Sequence, residues 1–155
     1  MEVLMAYDSR QDTLNHIHRV RELLEDVRNE FEIRAILHDQ SKLESPEKEA
    51  FDRLTPRLKT LEYGSPEYEE SRRELGEALE HHYANNSHHP EHFENGVNGM
   101  TLFDVLEMLV DWKAASERHE TGDINKSLTT NITRFNIDPQ LQSILENTVK
   151  AFGWT

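Results

Sequence analysis

The chain has no cysteine, only 5 prolines and 6 glycines in 155 residues, and 8% aromatic residues. Without thiols there is neither a disulfide framework nor a thiolate zinc site, so any metal has to be held by nitrogen and carboxylate oxygen. No run of apolar residues approaches a membrane span. The opening MEVLMAYDSRQD carries an early acid and no apolar stretch of signal-peptide length, so a cytoplasmic protein is the expectation. Positive charge is also scarce: 17 Lys and Arg against 30 Asp and Glu give a formal net charge of -13. That balance repels nucleic-acid polymers and anionic membranes, yet a local basic pocket could still take a small phosphate ester. No Pro/Gly/Ser-rich seam marks a linker, which predicts one domain over residues 1–155.

What the chain has instead is histidine. Five of the nine lie within twelve residues, His81, His82, His88, His89 and His92, in HHYANNSHHPEHF. Imidazole is the commonest metal ligand in proteins, and mixed imidazole and carboxylate ligation is open to manganese, cobalt, iron or nickel, with zinc or magnesium also admissible. A solvated His-rich loop is the plainer alternative.

Apolar residues recur at helical spacing throughout, which predicts an all-α fold of six or seven helices. Over about residues 8–30, Leu14, Ile17, Val20, Leu24 and Val27 form one face; His16 falls in phase with it, pointing inward, and His18 falls on the polar side. A short apolar helix, Ile33 to Leu37, then runs into His38-Asp39, with Ser41 and Lys42 following. A buried carboxylate needs a partner, and either a metal or Lys42 would serve.

Ser45-Pro46-Glu47 and Ser65-Pro66-Glu67 repeat one helix-start signal: a capping hydroxyl, proline in the first position, and an acid at the positive end of the dipole. The first predicts a helix to about Leu61 that Pro56 kinks or breaks; the second predicts one helix carrying Tyr68, Leu75, Leu79 and His82 on a shared face. By phase His82 points inward and His81 sits toward the edge. Tyr83 to Gly99 reads as an irregular loop that its glycines leave able to move.

Thr101 and Asp104 resemble a capping box at the start of the most apolar segment, TLFDVLEMLVDWKAASERH. Asp104, Glu107, Asp111 and Arg118 form its single polar line. That line is either a solvent-facing strip or the wall of an internal site, with Asp111 as ligand, Glu107 orienting a histidine and Arg118 facing a phosphate. Thr121-Gly122-Asp123 ends this helix and caps another to about Phe135, where Arg134 is a candidate phosphate contact. Asp138-Pro139-Gln140 opens the last helix.

Taken in order, NHIHRV, ILHDQSKL, ALEHHY and VDWKAA resemble the HD superfamily of metal-dependent phosphohydrolases, and YGSPEY, HHYANNSHHPEHF and EMLVDWKAA resemble a small HD-like family of phages and bacteria. The resemblance implies a helical HD-type domain. It also implies a first metal held by His16, His38, Asp39 and Asp111, and a second held by His81 or His82 with His88 or His89 and bridged through Asp39. Lys42 stands where single-metal members carry glutamate, as in two-metal branches whose lysine meets substrate phosphate; the GYP signature of cyclic-dinucleotide phosphodiesterases is absent. The expected activity is hydrolysis of a small phosphate ester, a nucleotide foremost. Lys42, Lys113 and Arg118 are expected on the phosphate, and Asp39, Lys42 and His88 in catalysis. Two alternatives are a protein that sequesters a nucleotide or metal without turnover and a di-iron oxygenase. Homo-oligomerisation is left open.

Overall fold

A computed structural model of the protein describes residues 7–62, 64–118 and 122–154. The described residues contain seven α-helices and no strand, the all-α architecture that the periodicity predicts. Thr121 and the first six residues, on which parts of the sequence reading fall, lie outside the described residues.

The chain divides into two compact units, one ending at His38 and one beginning at Asp39. The first unit consists of one helix, α1 (Arg10–Leu37). The expected separate helix from Ile33 is continuous with the preceding one, because no Pro or Gly intervenes, and α1 buries none of its residues. His16 is therefore exposed rather than inward-facing, as is His18, which pairs with Glu22 at 3.3 Å. At about 1.5 Å rise per residue, the unbroken helix sets His16 about 33 Å from His38, so the two cannot ligate one ion within a single chain.

In the second unit a 3-10 turn, Gln40–Leu43, leads to α2 (Glu47–Leu58), α3 (Pro66–Arg73) and α4 (Glu77–Asn85). Ser65 caps α3 by accepting from the Tyr68 N–H at 3.1 Å. Ser45 makes no such bond, and α2 begins at Glu47 with Pro56 accommodated in its last turn. The single helix expected from Pro66 to His82 is interrupted at Gly76, whose φ of 49° is a left-handed conformation that residues with a Cβ rarely adopt. The chain turns there before α4 begins.

Two 3-10 turns, Pro90–His92 and Gly96–Gly99, follow before α5 (Leu102–Ser116), α6 (Ile124–Arg134) and α7 (Pro139–Phe152). The Thr101–Asp104 capping box is formed in both directions. Met108, Leu109 and Trp112 of α5 pack with Ile124, Leu128, Leu145 and Val149 as the main core; Ala50, Leu54, Leu75 and Ala78 form a smaller one under α2 and α4. The loop after α4 is partly buried. Asn86, His88 and Pro90 are buried, and a Cβ on Gly99 would lie 2.4 Å from Asn95 Oδ1.

Candidate metal centre

Asp39 opens the second unit in the left-handed region, at φ 56°, which Asp tolerates better than most residues. The turn swings its carboxylate toward α4. Oδ2 accepts from Lys42 Nζ at 2.5 Å, while Oδ1 lies 3.4 Å from His82 Nε2 and 3.6 Å from His88 Nε2. His82 and His89 bring their Nε2 atoms to 2.9 Å. One donor atom from each of Asp39, His82, His88 and His89 falls within 4.8 Å of the others, and an Asp111 oxygen lies within 4.8 Å of one from Asp39.

The outer bonds of these rings fix where their lone pairs point. Both amide hydrogens of Asn86 are directed at Ser41 Oγ and the His82 carbonyl, each at 2.8 Å. His82 Nδ1 is left to donate to Glu47 Oε2 at 2.9 Å. On the other side His88 Nδ1 lies 3.2 Å from Glu107 Oε1. A neutral imidazole that donates from Nδ1 presents a lone pair at Nε2, so the His82 and His88 rings both turn lone pairs toward the Asp39 carboxylate. A cation could be held among these atoms, and carboxylates behind the rings are the usual means of orienting histidine ligands. The spacing fits as well: nitrogen ligands about 2.1 Å from an ion are about 3.0 Å apart at a right angle and about 3.4 Å apart in a tetrahedron.

Glu47 is the residue the sequence reading missed. Read there as an acid at a helix N-terminus, it is fully buried and takes His81 Nδ1 at 2.7 Å, His82 Nδ1 at 2.9 Å and Ser41 Oγ at 3.1 Å. Burial alone would raise its pKa, but the bonds from His81, Ser41 and His82 outweigh that and hold the carboxyl below its ordinary range. The signal available was the double histidine: two imidazoles in succession need an acceptor behind them.

The remaining expected residues divide. His82 and His88 are each 2% exposed, whereas His81 is half exposed and turned to Glu47, outside the cluster of donor atoms. His38 ends the first unit as the C-cap of α1. Of the polar line on α5, Asp104 is spent on the capping box and on Ser87, at 2.6 Å, which anchors the residue before His88. Glu107 backs His88, and Asp111 and Arg118 line a cavity of about 350 Å³ over the donor cluster, together with Asp39, Lys42, His82 and His89. Lys113, expected on the phosphate, pairs with Glu117 at 3.2 Å and is not among the residues that line this cavity.

Residues 5–151 match the model of a family described as a family of unknown function, DUF5662. The chain belongs to that family. No curated protein and no solved structure matches it. The family's description assigns no activity, so in this DUF5662 chain the chemistry has to be read from the cluster itself.

Burial, with Lys42 adding to it, lowers the His82 pKa, and burial beside His88 and His82 pushes His89 down to about 2. Both rings are neutral at pH 7 and available as ligands. Unfolding returns them to an ordinary pKa of about 6.5, so below that pH the unfolded chain takes up protons that the folded site refuses. Stability of the metal-free protein should be fully present above about pH 6.5 and fall as the pH drops from there, by up to about 1.4 kcal/mol per pH unit for one such group. Urea unfolding from about pH 7.5 to 5 checks this, and His89→Gln should flatten the slope by one group.

Proposed function

We propose that this cavity is the active site of a metal-dependent phosphohydrolase that acts on a small phosphate ester, with a nucleotide as the first candidate. The observation that carries the reading is a contrast of charge. Five of the chain's 17 basic residues line the cavity, against three of its 30 acidic ones, and two of those three, Asp39 and Asp111, belong to the candidate metal centre. In a chain of net charge -13, a pocket with that lining selects an anion.

Asp39, His82, His88, His89 and Asp111 would hold one or two divalent ions. An ion bound there supplies Lewis-acid activation of water and neutralises charge on phosphate oxygens. Asp39 fixes the position of Lys42 through the 2.5 Å bond, and Lys42 Nζ also lies 5.1 Å from the centre of the Phe51 ring, so the ammonium is held at the cavity wall. From there it would meet the phosphate. Arg118, in the turn just past the end of α5, supplies a second cation on the wall that Trp112 and Ala115 also line. His88 is buried with both ring nitrogens facing carboxylates, which suits a ligand better than the proton donor that the sequence reading made it. The likeness of ILHDQSKL, ALEHHY and VDWKAA to the HD superfamily supports the same reaction class, whereas His16 of NHIHRV departs from it.

Screening phosphate release from nucleotides by manganese-loaded protein tests the proposal. Release should stop on chelation and return on adding metal. Recovery of bound nucleotide chemically unchanged after long incubation would make this a binding protein instead, and absence of both binding and release would overturn the reading. His18→Ala should leave turnover intact, whereas Arg118→Ala should raise KM about tenfold, the size of one charged hydrogen bond.

A further inference from the structure

Three residues of the cavity wall have no part in holding the ion. Arg72 of α3, Tyr83 of α4 and Arg134 at the end of α6 come from separate helices and line one cavity. Arg72 Nη1 donates to the Tyr83 hydroxyl at 2.9 Å, while its Nε and Nη2 are fixed by Glu69 at 3.0 and 2.9 Å. Arg134 also acts on the Tyr83 hydroxyl, and its guanidinium lies over the Phe135 ring at 4.7 Å. The Tyr83 ring packs beside that of His89, centroids 5.0 Å apart, so this group of donors adjoins the candidate metal centre without overlapping it.

Glu69 already pairs with Arg72, so of the two guanidiniums that meet at the half-buried phenol it is Arg134 that needs an anion. Glu91 provides it: from the 3-10 turn Pro90–His92, its carboxylate pairs with Arg134 Nη2 at 2.6 Å and bears on both Arg72 and Tyr83. Glu91 is the one acid of the cavity lining outside the metal centre. A side-chain carboxylate on an exposed turn, reaching into a basic pocket, stands where an anionic group of a ligand would be bound.

We propose that Arg72, Arg134 and Tyr83 form a second anion subsite, held by the Glu91 carboxylate until a ligand with two separated anionic groups displaces it. The substrate class narrows accordingly, from phosphate monoesters at large to compounds bearing a second phosphate or comparable anion away from the one cleaved. The first group's place at the metal rests on the function proposed above; the subsite itself requires no metal.

That difference separates the two in experiment. Inorganic phosphate is titrated calorimetrically into chelator-treated protein, wild type and Glu91→Gln, with thermal melts to verify folding. Removing the competing carboxylate should tighten phosphate binding by about tenfold or more, and adding Arg134→Gln or Arg72→Gln to that variant should abolish the gain. Unchanged affinity in Glu91→Gln overturns the proposal, as does a gain that survives loss of either arginine. Should the double variants not fold, the comparison of Glu91→Gln with wild type decides alone. In the metal-loaded protein, Arg134→Gln should raise KM for a nucleoside bisphosphate by at least about tenfold more than for the monophosphate; equal effects on both overturn the assignment of substrate class. If no phosphate ester is turned over at all, the hydrolase reading fails and the phosphate titration still tests the subsite.

Discussion

With asparagine in place of Asp39, the protein is expected to fold normally and to lose more than about 100-fold in affinity for divalent metal, with loss of all phosphate release. Asparagine tolerates the left-handed backbone at φ 56° as aspartate does, so the turn into Gln40–Leu43 survives. What disappears is the negative charge at Oδ1, the atom that faces His82 Nε2 and His88 Nε2 at 3.4 and 3.6 Å. An amide in that position is a weaker ligand and cannot bridge two ions. The bond from Lys42 weakens for the same reason. Losing an orienting residue behind a ligand typically costs 10–100-fold in affinity, so losing the central ligand should exceed that range of about 10–100-fold. Metal titration followed by elemental analysis of the dialysed protein measures it. His18→Ala, on the exposed helix, is the matched control and should change nothing.

The second large effect is expected at Glu47, and it divides by substitution. Glu47→Ala leaves His81, His82 and Ser41 facing an empty, fully buried position, and should destabilise the protein by about 3–5 kcal/mol, the usual cost of removing one partner of a buried pair. Glu47→Gln keeps the volume and one acceptor. It should cost much less stability and lower metal affinity by about 10–100-fold, because the His82 ring loses the charge that raises its basicity and fixes its tautomer. Denaturant melts and metal titrations on the same two proteins separate the effects. The pH sign follows from the lowered carboxyl: the stabilisation that Glu47 contributes is present above its ordinary carboxylate pKa and is lost as the pH falls through the folded value.

Helix phase made the inside and outside of each helix legible, and little beyond that. It separated His82 from His81 and marked Glu107 and Asp111 on the one polar line of an otherwise apolar helix, and these residues do face the cavity or the histidines. Phase does not say what an apolar face packs against, which is why it turned His16 inward on a helix that buries nothing. Continuity of α1 from Arg10 to Leu37 was readable in principle, since nothing between them breaks a helix. Gly76 could likewise have been taken as the break it is, instead of one residue in a longer helix. Glu47 and Arg72 were hidden for another reason. Each is an ordinary charged residue in a helix rich in them, and only the crossing of α2 and α3 with α4 gives them histidine and tyrosine partners.

The central claim is that Asp39, His82, His88 and His89 share a cation, and the most direct measurement is a crystal structure grown with excess manganese, with anomalous scattering recorded at the metal edge. The expected result is at least one strong peak per chain, within about 2.0–2.3 Å of Asp39 Oδ1 and of the Nε2 atoms of His82 and His88. Clear density for these side chains in the arrangement described, with no anomalous peak among them at saturating manganese, would contradict it.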